Sequence, residues 1–77
     1  MSGSIQKSGK HVVESQDAGE MGTRYKITNT ETGSEAVLVT DKHYHIVTDN
    51  AAPHPHIAYH GDDSKSAADA VRKLVND

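Results

Sequence analysis

Five of the chain's six histidines fall between His43 and His60, and their spacing is the first feature that could carry chemistry. His43 and His45 are two residues apart, as are His54 and His56, and His60 follows. Residues two apart on a β-strand share a face. Cross-strand neighbours on that face stand ~5 Å apart at Cβ, and diagonal ones ~7–8 Å. Imidazoles at such separations can converge on one ion, and neutral imidazole suits Zn, Ni or Cu. His43, His45, His56 and His60 are therefore the candidate metal ligands, for a divalent transition metal, with Asp41 or Asp49 available to orient a ring. Two other readings use the same residues. Several imidazoles protonating together would make a pH sensor. A strand face that is simply hydrated needs no ligand at all.

Other chemistries find less support. Arg24 and Lys26 alternate onto the histidine face and Lys42 sits at its turn, which gives a small positive patch able to touch phosphate. No aromatic residue joins that face to stack a base. Serine, histidine and aspartate are present, but no Gly-x-Ser-x-Gly segment lies between a strand and a helix. A chain this short also leaves little room for a water-excluding pocket, so no enzymatic activity is expected. Gly61-Asp62-Asp63-Ser64 precedes a helix, and its two carboxylates suit capping better than anion binding.

The elements that must position these residues are read from periodicity. Tyr25 and Ile27 alternate with Arg24, Lys26 and Thr28, the period of a half-buried strand. Glu31-Thr32-Gly33, flanked by Thr30 and Ser34, fits a three-residue hairpin loop with Gly33 left-handed. That loop sets Ile27 against Val37 and Tyr25 against Val39. A two-residue Asp41-Lys42 turn then sets Val39 beside Tyr44 and Val37 beside Ile46. After an aperiodic loop over Asp49 to Pro55, pairing Ile46 with Ile57 and Tyr44 with Tyr59 keeps all eight of these apolar residues on one face. Ser64 to Asn76 carries Ala67, Ala70, Val71, Leu74 and Val75 at helical spacing, with Asp63, Ser64 or a Ser66/Asp69 box as its cap. Residues 1–9 read as a flexible tail. Residues 10–77 read as a single α+β domain: a small antiparallel β-meander of three to four strands, with one C-terminal α-helix packed on one face. Lys10 to Glu14 is a further strand candidate. In this arrangement Ile46→Asp should unfold the domain and His45→Asp should not.

Composition bounds the function. The 77 residues contain no Cys, Trp or Phe and carry a net charge of −3. Leu, Ile, Val and Phe together make up about 17% of the chain, so the core is thin and a partner is expected to add stability. The absence of Cys removes disulfides, thiolate metal sites and cysteine nucleophiles. No apolar run approaches the ~20 residues that span a bilayer, and the first ten residues lack a signal-peptide core. A cytoplasmic location without membrane contact is the expectation. Leu38 and Val47 fall with the histidines, Arg24 and Lys26, which makes that face less polar than an idle surface should be. The leading expectation is therefore a small adaptor or inhibitor-type module that binds another protein. Its partner-binding residues would be Arg24, Lys26, Leu38, His43, His45, Val47, His56 and His60, or an edge strand. Metal binding is the alternative and nucleic-acid binding through Arg24, Lys26 and Lys42 the third; a homodimer would use the same face.

Overall fold

A computed structural model describes residues 3–17, 19–51 and 53–76. Six strands follow one another in chain order: β1 (Gly3–Ser8), β2 (His11–Asp17), β3 (Thr23–Asn29), β4 (Glu35–Thr40), β5 (His45–Asp49) and β6 (His56–Gly61). They form one antiparallel sheet in the order β1-β2-β3-β4-β5-β6, and the helix α1 (Ser64–Asn76) packs on one of its faces, against β3 to β6. The α+β architecture and the helix bounds are as the sequence indicates. The sheet has six strands rather than three or four.

Two of those strands lie where the sequence pattern is weakest. Gly3–Ser8, read above as tail, is the edge strand β1, and His11 to Glu14 belongs to its partner β2. Met1 and Ser2, also part of that tail, lie outside the described residues. The β1–β2 turn is Gly9-Lys10, with Gly9 at φ 58°; among the described residues only glycines are left-handed. Glycine at the first of two central positions is the mark of a tight hairpin turn whose twist matches its strands. The strand itself is exposed along its length, so burial imposes no alternation on its sequence.

The central correction is one of register. The β3–β4 loop is four residues, not three, because Asn29 rather than Thr30 closes it. Asn29 N–H donates to Ser34 O (2.9 Å) and Gly33 N–H to Asn29 O (2.8 Å), with Gly33 left-handed as expected (φ 78°). The Asn29 side-chain oxygen accepts from Glu31 N–H (2.9 Å) and Thr32 N–H (3.3 Å), a local pairing that asparagine offers and most residues cannot. One extra loop residue puts Ile27 opposite Ala36 and Tyr25 opposite Leu38, instead of Val37 and Val39. A slip of one exchanges the faces of everything downstream.

The β4–β5 turn is also longer, Asp41 to Tyr44, with Asp41 accepting from His43 and Tyr44 N–H groups. Thr40 pairs His45 and Val39 pairs Ile46, a shift of two that keeps faces unchanged. Along β5–β6, Ile46 lies opposite His60 and Val47 opposite Tyr59, and an irregularity at Val47/Thr48 leaves Ala58 as the extra residue. The single apolar face thus divides. Tyr25, Ile27, Leu38, Val47, Ala36 and Tyr59 share the side beneath α1, while Val37, Val39, Ile46 and Ile57 share the other.

The core between sheet and helix is built from small side chains. Ala36 and Val47 of the sheet and Ala67 and Val75 of the helix are buried, and Asn29 is wholly so. The Asp63 carboxylate caps α1, accepting from Lys65 N–H (3.1 Å) and the Ser66 hydroxyl (2.7 Å). These bonds, the Ser66 hydroxyl foremost, hold the Asp63 carboxyl below its ordinary range. The β4–β5 turn has its counterpart in Asp41, whose carboxyl is lowered first by the His43 N–H. Both groups bind a proton less readily folded than unfolded. Their contribution is full above the unfolded carboxylate range and is lost as pH falls through their lower folded values. Urea midpoints are therefore expected to fall below about pH 4, with a shallower fall in Asp63→Asn.

Gly22, before β3, has φ 88° and donates to Gly19 O (3.0 Å). A Cβ there would drive into the Thr40 carbonyl oxygen and stand 2.8 Å from Asp41 Cβ. Gly33 is also left-handed but faces open space. Gly33→Ala should thus report conformational strain alone, about 1–2 kcal/mol. Gly22→Ala adds a backbone collision and should cost more, read as a larger drop in urea midpoint at unchanged slope.

Candidate protein-binding surface

The sheet face away from α1 consists of rows of side chains running across the strands. One row reads Ile5, Glu14, Lys26, Val37, Thr48 and Ile57; the next reads Gly3, Gln16, Arg24, Val39, Ile46 and His60. Strands β1 to β3 therefore supply a charged half and β4 to β6 an aliphatic half. Val37 is shielded to 7% exposure, whereas Ile57 at the edge is 60% exposed and Ile5 at the far edge 67%. Two exposed isoleucines and three half-buried aliphatics, Val12, Val39 and Ile46, are a large apolar share for the uncovered face of so small a chain.

One cation of this face, Lys26, stands between two carboxylates. Lys26 stands opposite Glu14 in the register and its ammonium lies 3.2 Å from Glu35. The Asn50 amide donates to Glu35, and this bond above all, with Lys26 beside it, holds the Glu35 carboxyl below its usual value. A depression of about 520 Å³ lies over the charged half, lined by Ile5, Glu14, Arg24 and Lys26 among others. On the aliphatic side the His60 ring meets Tyr44 edge-on, with centroids 6.2 Å apart.

The four candidate histidines do not share this face. His60 is on it, opposite Ile46. His45 is half-buried on the helix side and shares a hydrogen bond with the Thr40 hydroxyl. His56 pairs Asp49 at the start of β6, and His43 is exposed in the β4–β5 turn. The expected His43–His60 pairing rested on a two-residue turn and on unbroken β6 register, and neither occurs. Among the described residues no three His, Asp or Glu side chains stand together as metal ligands would.

The other expected contact residues separate in the same way. Arg24 and Lys26 remain on the open face. Leu38 lies on the helix side, and Val47 is fully buried there, a core residue with no surface to offer a partner. Val39, Ile46 and Ile57, which the sequence pattern places in the core, stand on the open face instead. Their signal was Asn29 itself, whose side chain lengthens the loop by one residue. Comparison with protein families, curated proteins and solved structures gives no significant match for this chain.

Proposed function

We propose that the chain is a non-catalytic protein-binding module that docks its partner on the uncovered face of the sheet. One observation carries this reading. A single helix covers one face of a six-stranded sheet, and the other face presents Val39, Ile46 and Ile57 beside the Glu14, Lys26 and Glu35 charges. An aliphatic patch rimmed by polar and charged groups is the usual anatomy of a protein interface. The paired state of Lys26 favours a protein partner over a polyanion, since phosphate binding draws on cations that are not already neutralised. Among the described residues no helix is long and apolar enough to cross a membrane.

The test compares capture by the immobilised wild-type chain with capture by Val39→Lys and Ile46→Lys, from an extract of the source cells. The reading expects a specific partner held by the wild type and lost from both variants, with dispersed amide spectra confirming that the variants are folded. Identical capture by all three would overturn it.

A further inference from the structure

A second surface has the makings of a peptide site. Strand β6 ends the sheet, with β5 its only strand neighbour among the described residues, so its outer N–H and C=O groups are available for pairing. Sheet edges are ordinarily blunted with charged residues or proline. His56–Gly61 contains no Lys, Arg, Asp, Glu or Pro.

A groove of about 340 Å³ runs between this edge and α1. Its floor is Ala58, Tyr59, Ala70 and Leu74, and Asp69 and Lys73 stand on its helix side. Adjacent strand residues normally point to opposite faces. The irregularity at Val47/Thr48 lets Ala58 join Tyr59 in the groove. Tyr59 is held in place: its hydroxyl accepts from Asp63 N–H (3.2 Å) and its ring covers Gly61, where a Cβ would strike it. Of the two charges, Asp69 is engaged by Arg72 at 2.7 Å, while Lys73 has no carboxylate partner among the described residues.

We propose that this groove binds an extended segment of a partner protein, added to the sheet alongside β6, with an aliphatic side chain in the pocket and an acidic residue paired to Lys73. Side chains two apart on an extended segment face the same way, so the preferred pattern is an aliphatic residue and an acidic one separated by a single position. The proposal extends the protein-binding reading to a second surface and does not depend on the open face.

The experiment selects from a phage-displayed library of random ten-residue peptides against the full chain. Enriched sequences are then synthesised and titrated into the labelled protein. The proposal expects an aliphatic-x-acidic pattern, amide shifts confined to β6 and α1, and at least tenfold weaker binding to Lys73→Glu, an exposed substitution that leaves the fold intact. Ala70→Phe, which fills the pocket, should abolish binding, while Ile46→Lys on the open face should leave affinity unchanged. Peptides without that pattern, or binding indifferent to Lys73→Glu, would overturn the groove assignment. Peptides lost only with Ile46→Lys would do the same while supporting the open face.

Discussion

Val47→Lys is expected to abolish cooperative folding, whereas the same substitution one residue earlier, Ile46→Lys, is expected to leave a folded domain. Val47 is 0% exposed between β5 and α1, opposite Leu38 and Tyr59. A lysine there would overpack the smallest part of the core and bury an ammonium with no partner, at a cost of several kcal/mol. A domain of this size commonly has only ~3–5 kcal/mol of net stability from its core. Ile46 lies on the open face opposite Val39, half-buried, where a lysine stem can lie along the aliphatic surface with its head in water. Far-UV circular dichroism with thermal melts separates the two outcomes. Equal loss from both would mean that the open face is as much core as the covered one. The result reverses the simple pattern reading, in which Ile46 is the buried residue.

Asn29→Asp should be nearly as damaging, although it changes one group of similar size. Asn29 is the only polar side chain wholly buried among the described residues, and it ties two distant features together. Its amide donates to Val75 O at 2.6 Å, near the C-terminal end of α1, and its side-chain oxygen holds the β3–β4 loop. His11 Nε2 donates to the same carbonyl at 3.2 Å. Carbonyls in the last turn of a helix lack partners within the helix, so these donors satisfy a group that would otherwise be orphaned. A carboxylate at position 29 would set an acceptor against that carbonyl in a buried site, with a penalty of about 3 kcal/mol or more. Asn29→Ala removes the donor without adding the repulsion and should cost about 1–3 kcal/mol. Burial and the facing carbonyl raise the pKa of the substituted carboxyl, so the Asn29→Asp deficit should shrink as pH falls through that raised value, the opposite slope to Asp63. Urea titrations at pH 7 and pH 5 read both effects.

The same residue explains how much of the fold was legible. Alternation identified β3 to β6 and helical spacing fixed α1 at Ser64–Asn76, because those features are written into neighbouring residues, while the choice of Asp63 among three candidate caps came from the structure. Register depends on loop length, and loop length here depends on a side chain that satisfies loop N–H groups and a helix carbonyl 46 residues away. Strand β1 was hidden for a different reason: exposed on both faces, it shows no apolar period, and only Gly9-Lys10 marks its turn. The histidine site required the β4–β5 turn and the β5–β6 register together. With the β4–β5 turn lengthened and β6 interrupted at Ala58, the four rings separate: His43 stays in the turn, His45 and His56 fall on the helix side and His60 on the open side. The mixed apolar and charged surface was anticipated in kind, but its members changed: Arg24, Lys26 and His60 stay, while Leu38 and Val47 give way to Val39, Ile46 and Ile57.

The claim on which this account rests is that the Val39/Ile46/Ile57 face is open to solvent and the Ala36/Val47/Val75 face is closed. Methyl NMR spectra recorded with and without a soluble gadolinium chelate measure this directly. Strong broadening of Ile57, Ile46 and Val39 methyls, with Ala36, Val47 and Val75 spared, is the predicted result. Broadening of Val47 and Val75 with Ile46 and Val39 spared would contradict it.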